Sequence, residues 1–386
     1  MTAGVLDREL LDDVRARITR GGVDSAEAVR QAARDSGRVL GSTVLNELER
    51  SARAELHGAG PLQDLLEGPD VTDVLVNGPD DVWVDRGRGL ERVPLSLGTA
   101  ADVRALAVRL AAIGGQRLDD ARPSVDARLP DGTRLHAVLA PIAPTGAAIS
   151  LRVLRSRAFS LEELVASGAL PGAWAGLLRA LVLRRANVVI SGGTGTGKTT
   201  LLAALLSLVG TGERIVTVEE ARELTPDHPH VMPLATRRAN VEGAGGIGLA
   251  DLVRDALRMR PDRIVLGECR GAEVREVLMA MNTGHDGGFA TLHANAVAVV
   301  PARLEALAAL AGMPRDAVAA QAAGALDVVL HLRRERGVRF LAEIGVVRRD
   351  VGGELLVRPA ARWSGQGAFE TDTAAWPELV RRFGPW

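Results

Sequence analysis

The chain has 386 residues, 47 lysine and arginine residues against 48 aspartate and glutamate residues, and a single cysteine, Cys269. The length predicts about two or three domains. The balanced charge argues against electrostatic binding of nucleic acid or anionic lipid by the chain as a whole. One cysteine excludes an intramolecular disulfide framework. No run reaches ~18 apolar residues, and residues 1–20 carry acids where a signal peptide is basic and then apolar, so we expect a cytoplasmic protein.

The N-terminal part of the chain shows two periodicities in turn. Residues 1 to about 66 place Leu, Val and Ala at helical spacing. From 70 to 155 the apolar period becomes two. The elements predicted there are a hairpin over 71–87, a helix over 101–115, a hairpin around Pro130-Asp131-Gly132 and a strand over 149–154. This pattern indicates a small α+β domain, followed by a linker with a short helix.

From about residue 173 to 300 the pattern alternates strand, glycine loop, helix and strand. The predicted strands are NVVIS (187–191), RIVTVEE (214–220), DRIVLGE (262–268) and GFATLHA (288–294). Such alternation predicts a mostly parallel sheet with helices on its faces. Residues 301–346 are predicted to be helical and then β. The last stretch, 347–386, is rich in Gly and Pro and predicts an irregular, loosely packed tail.

The glycine loop GGTGTGKT at residues 192–199 matches the phosphate-binding pattern G-x-x-x-x-G-K-[ST], with a strand before it and a helix after it. Glycines let successive backbone N–H groups converge on phosphate oxygens, and the helix start adds a positive dipole end. Lys198, the only lysine in the chain, would neutralise the β- and γ-phosphates, and the Thr199 hydroxyl would ligate Mg²⁺. The predicted nucleotide-binding residues are Gly192, Gly193, Thr194, Gly195, Thr196, Gly197, Lys198, Thr199 and Thr200.

Acidic residues follow two of the predicted strands. Glu268 ends the third strand, where a carboxylate can hold the Mg²⁺ shell or orient a water; the alternative is a simple ion pair with Arg270. Glu219, Glu220 and Glu223 follow the second strand, at the rim where ligands bind in open α/β sheets. One of them could activate the attacking water. The alternative is a solvated helix start, because acids favour helix N-termini.

Two histidines lie near the two ends of the segment GHDGGFATLHAN, His285 near its start and His293 near its end. They lack the ligand spacing of a metal site, so a phosphate-sensing histidine is the functional interpretation. A structural, hydrogen-bonded histidine is the alternative. Arginines are concentrated at 237–243 and 257–263 and could reach phosphate, but for any one of them a salt bridge to the nearby acids is the better expectation.

As an ordered set, GGTGTGKTT, VEEAREL, LRMRPDRIVLGECRG and MNTGHDGGFATLHAN resemble the boxes of the secretion ATPases of the type II and type IV superfamily. With DVLVNGPDDVWVDRG, SVDARLPDGTRLHAVLAP and ISLRVLR, the series resembles the tight-adherence (Tad/Flp) pilus branch over residues 58–346. The fold class expected is α/β, a RecA-like P-loop ATPase domain preceded by a small α+β (PAS-like) domain and an N-terminal helical segment. The expected boundaries are a helical segment 1–57, a small domain 58–155, a linker 156–172, an ATPase domain 173–346 and a tail 347–386.

The resemblance also implies roles for individual residues. Glu268 matches the acid of the Walker B box, which takes a Gly-Glu form in this family, and Glu219-Glu220 stands where the family usually has Glu-Asp. The implied catalytic residues are Glu219, Glu220, Glu223, Glu268 and His293, with Thr199 and Glu268 holding Mg²⁺. Arg134 and Arg152 match N-domain arginines that approach the nucleotide phosphates in relatives, and His285 belongs to the histidine box.

The function implied is Mg²⁺-dependent ATP hydrolysis by a hexameric ring that powers Flp/Tad-type pilus assembly or type II/IV secretion. The expected partner is an inner-membrane platform protein, with the ring peripheral to the cytoplasmic membrane and no specific nucleic acid bound. Two alternatives stay open: a conjugation-type DNA-transfer ATPase, and a nucleotide-gated scaffold with negligible hydrolysis. A helicase-like DNA motor is disfavoured by the balanced charge and the few aromatic residues.

Overall fold

The computed structural model of the protein describes residues 13, 25–35, 49–50, 54, 58–68, 71–87, 89–153, 158–237 and 245–384. The chain divides into two compact units, residues 1–154 and 155–386. Most of the helical segment predicted for residues 1–57 lies outside the described residues. Within it, the structure shows a helix, α1 (Ser25–Asp35), with Val29 and Ala32 buried.

The first unit contains a six-stranded antiparallel sheet with strand order β3-β2-β1-β6-β5-β4. Its elements are a 3₁₀ turn (Gly60–Leu62), α2 (Gln63–Leu66), β1 (Asp73–Gly78), β2 (Asp81–Asp85), β3 (Leu90–Val93), α3 (Ala100–Ile113), β4 (Ser124–Arg128), β5 (Arg134–Leu139) and β6 (Ala147–Arg152). Alternate residues of the strands, such as Val74 and Val76, share a core with Val103 and Leu110 of α3. Both predicted hairpins, the helix and the last strand are confirmed. The sequence did not predict β3, because LERV is exposed and lacks alternation.

The second unit contains a nine-stranded sheet with strand order β15-β14-β13-β12-β7-β11-β10-β8-β9. Its strands are β7 (Val188–Gly192), β8 (Ile215–Glu219), β9 (Val231–Ala235), β10 (Arg263–Cys269), β11 (Phe289–Leu292), β12 (Val328–Glu335), β13 (Val338–Arg349), β14 (Leu355–Arg362) and β15 (Glu370–Thr371). Strands β12, β7, β11, β10, β8 and β9 are parallel, and β13 to β15 continue the sheet antiparallel. The predicted parallel sheet is confirmed. Every residue of β7 and β8 is buried, as expected for central parallel strands covered on both faces.

Helices cover both faces of this sheet. They are α4 (Leu161–Ala166), α5 (Gly172–Leu183), α6 (Lys198–Leu206), α7 (Leu249–Leu257), α8 (Val274–Asn282), a 3₁₀ turn (Val297–Val299), α9 (Val300–Leu310), α10 (Arg315–Ala325) and α11 (Ala375–Phe383). Helices α4, α5, α6 and α11 contribute to one core, and α7 to α10 contribute to the other. Helix α4 lies within the predicted linker and buries Leu161 and Leu164 in the first of these cores. Strand β9 was not predicted, because VMPLA is a half-exposed edge strand that contains a proline.

Among the described helices, no single one is long and apolar enough to span a membrane. The segments Val297–Leu310 and Arg315–Ala325 pass that length and composition test only as a pair, which bends by 119° between them. Their apolar residues, including Leu304, Leu307 and Val318, are buried in the core of the second unit.

The prediction of an irregular tail over 347–386 is wrong. Strand β14 pairs with β13 along its length, β15 pairs with β14, and α11 closes the chain. The physical reason is aromatic packing: Trp363 and Phe369 both make edge-to-face contacts with Trp174 of α5, worth about 0.5–1.5 kcal/mol each beyond their buried area. The glycines and prolines of the turns interrupt the apolar periodicity of this segment, so periodicity did not predict its strands and helix.

A buried arginine joins three segments at the amino-terminal edge of the parallel strands. Arg263, the first residue of β10, is 1% exposed. Its Nε donates to Glu213 Oε2 at 2.8 Å, and its Nη2 donates to the Val182 carbonyl at 3.0 Å. The salt-bridge interpretation of the 257–263 arginines is therefore correct for Arg263.

We expect Arg263→Ala to lower the free energy of unfolding by about 3–5 kcal/mol, because it breaks the ion pair between a fully buried guanidinium and Glu213 and removes the guanidinium's hydrogen bond to the Val182 carbonyl. The matched control is Arg185→Ala. Arg185 also contacts Glu213 Oε2 at 2.8 Å, but its side chain is 45% exposed, so the expected loss is about 0–1 kcal/mol. Chemical denaturation measures both values, and equal losses would contradict this interpretation.

Candidate nucleotide-binding site

The phosphate-binding pattern forms the loop between β7 and α6. Strand β7 ends at Gly192 and helix α6 begins at Lys198. Gly197, the residue that caps the helix, has φ +97°, a left-handed conformation that favours glycine. A Cβ atom on Gly192 would lie 2.6 Å from the Leu332 carbonyl oxygen of the neighbouring strand β12, so only glycine fits there. The loop shape therefore depends on its glycines, as the sequence predicted.

Lys198 reaches back across this loop. Its side chain is buried, and its Nζ donates to the carbonyls of Gly192 at 3.1 Å and Gly193 at 2.8 Å. Thr196 Oγ1 donates to the same Gly193 carbonyl at 3.0 Å. Burial lowers the pKa of the Lys198 ammonium from its ordinary value. The ammonium is thus held inside the loop, beside the backbone amides that would bind phosphate.

The other predicted loop residues surround this ammonium. Thr194 and Gly195 are exposed at the mouth of the loop, and Thr199 and Thr200 are half-buried in the first turn of α6. The structure therefore brings the whole predicted set, residues 192–200, into one strand-loop-helix unit at the carboxyl edge of β7. This is the edge at which open parallel sheets bind ligands.

Glu268 lies at the same edge, at the end of β10. Its Oε2 accepts from Arg270 Nη2 at 2.7 Å, and its Oε1 lies 2.7 Å from His293 Nε2. Burial raises the pKa of Glu268, but the hydrogen bond and charge of Arg270, with the charge of Lys198 and that of His293 when it is protonated, outweigh burial and hold the pKa below its ordinary value. The ion pair with Arg270 is therefore present, at the same sheet edge as the phosphate loop.

His293 follows the carboxyl end of β11. Burial is the largest cause that lowers its pKa, and the nearby charge of Lys198 lowers it further, against the opposing effect of Glu268. The imidazole is therefore neutral near pH 7. It contacts an ionised carboxylate and is within electrostatic range of the ammonium of the phosphate loop, which is the environment expected of a group that responds to bound phosphate.

The three acids that follow β8 occupy different places. Glu219, the last residue of the strand, is 4% exposed, and its Oε1 accepts from the backbone N–H groups of Glu223 and Leu224 at 2.9 and 3.0 Å. Glu220 is exposed and contacts Arg270 at 3.1 Å, while Glu223 is half-buried. Residues 220–230, all of them described, contain no helix between β8 and β9, so the helix-start alternative is wrong. Which of these acids activates water stays a prediction.

The glycine that precedes Glu268 has a steric cause. A Cβ atom on Gly267 would lie 2.7 Å from Glu219 Cγ. The buried side chain of Glu219 therefore occupies the space that a side chain at position 267 would need. This contact joins the ends of β8 and β10 and accounts for the Gly-Glu sequence in this strand.

We expect Gly267→Ala to destabilise the protein by about 1–3 kcal/mol, because the added methyl group must displace the well-packed Glu219 side chain. The matched control is Gly212→Ala, since a Cβ atom there would meet no atom within 4 Å. Unfolding of the two variants, measured side by side with wild type, checks this prediction. A Gly267→Ala variant as stable as Gly212→Ala would contradict it.

Several residues near the site were missed from the sequence. Ser191 Oγ lies 2.9 Å from Nδ1 of His331, a fully buried residue whose pKa is lowered by burial. Thr291 Oγ1 donates to the Gly267 carbonyl at 2.6 Å. Arg270, expected only as a partner of Glu268, also contacts Glu220. These contacts follow from which strands are neighbours, and no local pattern in the sequence signals them.

His285 lies away from the phosphate loop. It precedes β11, and the nearby Gly288 carbonyl accepts from the N–H of Val188, the first residue of β7. Gly288 N–H also donates to Asn187 Oδ1 at 2.8 Å. His285 is therefore at the amino-terminal edge of the parallel strands, opposite the edge that carries Lys198. The prediction that His285 contributes to the nucleotide site formed by this loop is wrong for the site within one chain.

The two predicted arginines of the first unit are exposed and directly opposite one another on β5 and β6. Arg152 Nε donates to Asp73 Oδ1 at 3.2 Å. Arg134 and Arg152 thus lie in one cross-strand row. Their approach to a nucleotide stays a prediction.

The residues of the site fit a magnesium ion that is held together with a nucleotide. Among the described residues, no group of three or more His, Cys, Asp or Glu side chains could hold a metal by itself. This agrees with the habit of Mg²⁺, which is usually bound by one or two protein oxygens plus substrate phosphates. The Thr199 hydroxyl and the ionised Glu268 carboxylate supply such oxygens at one edge of the sheet.

With this geometry in place, comparison with known proteins decides the family. The profile of the type II/IV secretion system protein family matches residues 55–343. The chain belongs to this family. The matched residues include the whole of the site around Lys198, Glu268 and His293, whereas β14, β15 and α11 lie beyond the match.

Relatives of the family include proteins of conjugation and secretion. The chain is 49% identical over 350 residues to the "Putative conjugal transfer protein" of Mycobacterium tuberculosis, covering 89% of this chain and 99% of that protein. It is 31% identical to the type IV secretion system protein PtlH of Bordetella pertussis, covering 75% and 93%. The solved structure of the Legionella pneumophila ATPase DotB aligns with a TM-score of 0.51 at 19% identity, covering 82% of each chain. At that identity the likeness shows the fold alone, and it confirms the predicted RecA-like ATPase fold.

Proposed function

We propose that this protein is a Mg²⁺-dependent ATPase that works as a hexameric ring and powers assembly of a Flp/Tad-type pilus or a related type II/IV secretion machine. The observation that carries the proposal is the meeting of Lys198, Glu268 and His293 at one sheet edge, with the pKa of Glu268 held low. A loop that only bound a phosphate group would not require the ionised carboxylate and the neutral imidazole beside it.

In the proposed function each group has a task. The amides of residues 192–199 and the Lys198 ammonium bind the phosphates, and Thr199 and Glu268 would hold Mg²⁺, which offsets phosphate charge when bound. One of the acids after β8, Glu219 or Glu223, orients the attacking water. His293 contacts Glu268 at 2.7 Å, so a change at the phosphates alters its charge environment directly. We propose that His293 passes this change to the rest of the protein.

The proposed partners follow from the same function. A ring of identical chains would dock peripherally on the cytoplasmic membrane, against a platform protein of the pilus or secretion machine. No specific nucleic acid is required, because the chain carries almost equal numbers of basic and acidic residues.

A second candidate is an ATPase for conjugal DNA transfer. It is favoured by the name of the Mycobacterium tuberculosis relative at 49% identity and by that of the conjugal transfer protein TrbB of Rhizobium radiobacter, which is 31% identical over 72% of this chain. The motor chemistry is the same in both candidates, and the cargo differs.

A deletion strain of the source organism tests the cargo. The strain is complemented with the wild-type gene or with Lys198→Ala, and surface pilin and transfer of a mobilisable plasmid are both measured. Loss of surface pilin that only the wild-type gene restores supports pilus assembly. Loss of plasmid transfer with unchanged pilin would replace it with the conjugation function, and full complementation by Lys198→Ala would contradict a need for the phosphate loop in either function.

A further inference from the structure

We infer that the β12–β13 hairpin forms a second wall of the nucleotide site and that Arg334 and Arg339 bind the α- and β-phosphates of ATP and ADP. The inference rests on the proposed function, because it names further binding residues of the same site. Both arginines belong to this chain's own ATPase unit and lie outside the phosphate-binding pattern.

The sheet topology places the hairpin beside the loop. Strand β12 is the parallel neighbour of β7, and their pairing ends at Leu332 opposite Gly192. Strand β7 stops there, whereas β12 continues for three residues to Glu335. The end of the hairpin therefore projects past the sheet edge, next to the residues that form the phosphate loop.

Two distances show how close the arginines come. The position that a Cβ atom on Gly195 would occupy lies 3.6 Å from Arg334 Nη1. The corresponding position on Gly197 lies 3.9 Å from Arg339 Cδ. Each arginine side chain thus borders the space that a side chain on one of the loop glycines would occupy. Both glycines have positive φ, at +69° and +97°, and a side chain at either position would intrude into this space.

The hairpin holds the two arginines on the same face. Arg334 and Arg339 are directly opposite one another in the β12–β13 pairing, so their side chains leave the same side of the sheet. The turn between the strands consists of Arg336 and Gly337, both with positive φ, as in the tight two-residue turns that match strand twist. The short turn fixes the register and therefore the spacing of the pair.

Their chemistry suits a diphosphate. A guanidinium stays charged at all physiological pH values and donates two parallel hydrogen bonds to phosphate oxygens. In loops of this type, backbone N–H groups cradle the α- and β-phosphates while the lysine reaches the β- and γ-phosphates. Arginines that border the side-chain space of Gly195 and Gly197 are therefore placed to bind the part of the nucleotide that ATP and ADP share.

Arg333 provides a matched control on the same strand. It is the residue before Arg334, so its side chain leaves the opposite face, where it pairs in register with Phe340 and contacts Glu335 at 3.5 Å. It has the same charge and is likewise exposed. Removing it changes the net charge as much as removing Arg334 but does not touch the loop.

The experiment measures dissociation constants of the full chain for ADP and for the β,γ-imido analogue of ATP, with Mg²⁺, by titration calorimetry. We expect Arg334→Ala and Arg339→Ala to weaken binding of both nucleotides by about 10- to 100-fold, and to the same extent for each. Arg333→Ala is expected to stay within about 2-fold of wild type, because it loses only a long-range charge effect. In steady-state hydrolysis, KM for ATP should rise in Arg334→Ala while kcat changes little.

Each alternative outcome has a distinct meaning. Wild-type protein that binds neither nucleotide would overturn the proposed function itself. Wild-type binding with Arg334→Ala and Arg339→Ala both indistinguishable from Arg333→Ala would overturn this inference alone. Weakening for the ATP analogue but not for ADP would also overturn it, because the contact would then be to the γ-phosphate. Since Arg334 is exposed, Arg334→Ala decides the matter if Arg339→Ala fails to fold.

Discussion

Replacing Lys198 with alanine is expected to reduce ATP hydrolysis by at least about 100-fold. The ammonium is the one positive charge inside the phosphate loop, held there by the carbonyls of Gly192 and Gly193. Without it, the loop amides remain, but the charge that develops on the transferred phosphoryl group loses its compact counter-charge. Phosphate release at saturating ATP and Mg²⁺ measures the loss, and a variant that keeps a tenth of wild-type activity would contradict the assigned role.

Lys198→Arg is the sharper companion variant. Of the 47 basic residues, arginine fills 46 positions and lysine only position 198, so composition alone does not explain the lysine. The planar guanidinium is larger than an ammonium and cannot occupy the same enclosed position between two carbonyls. We expect Lys198→Arg to be nearly as inactive as Lys198→Ala. Full activity in Lys198→Arg would show that hydrolysis needs a positive charge at position 198 and not the compact shape of the ammonium.

Replacing Glu268 with glutamine is expected to lower hydrolysis by about 100-fold or more while nucleotide affinity changes little. Glutamine keeps the volume of the side chain and removes its charge, and the charge is what holds a hydrated cation or orients a water. Binding rests mainly on the loop amides and Lys198, which the change leaves in place. Phosphate release and titration calorimetry on one preparation separate the two quantities.

Glu276→Gln is the matched control for this variant. Glu276 is also a partly buried carboxylate beside an arginine, with Oε1 3.3 Å from Arg254 Nη1, but it lies on α8. We expect its activity to stay within about 3-fold of wild type. A Glu268→Gln variant that turned over ATP as fast as Glu276→Gln would remove Glu268 from the mechanism. If Glu268→Gln lost nucleotide binding together with hydrolysis, Glu268 would instead be a residue that stabilises the bound nucleotide before the reaction.

The pKa values of Glu268 and His293 are both lowered, so the charge states assumed for these two side chains apply at neutral pH. The Glu268 carboxyl has its pKa held below its ordinary value, so it is ionised throughout the neutral range. The pKa of His293 is lowered, mainly by burial, so this imidazole takes up a proton only as the pH falls below the ordinary histidine range. Because the pKa of His293 is lowered in the folded state, this group contributes to the stability of the fold above the ordinary histidine range, and the contribution is lost as the pH falls.

The sequence predicted the parts of the site that depend on local order along one strand. Lys198 and His293 follow strands of the same parallel sheet and Glu268 lies at the end of one, and the carboxyl ends of parallel strands share an edge. His285 was misassigned because it precedes β11 by four residues, and position before or after a strand decides the edge. The resemblance to the histidine box of the family does not show at which edge of the sheet each histidine lies.

Other features depend on contacts between distant parts of the chain. Arg334 reaches the phosphate loop because β12 is the neighbour of β7, although about 140 residues separate Arg334 from Gly195. The tail was misjudged for the same reason: Trp363 and Phe369 find Trp174 across the core. Strand order determines the first feature and aromatic packing determines the second, and neither produces a periodic pattern in the sequence.

The measurement that tests the central claim most directly is phosphate release from ATP per subunit, over a wide range of protein concentrations, beside Lys198→Ala. A ring with sites that need a neighbouring subunit predicts activity per subunit that rises with concentration and vanishes in the variant. Activity per subunit that stays flat would contradict the ring, because each site would then be complete within one chain. Wild-type activity no greater than that of Lys198→Ala at every concentration, with source membranes added, would contradict the ATPase itself.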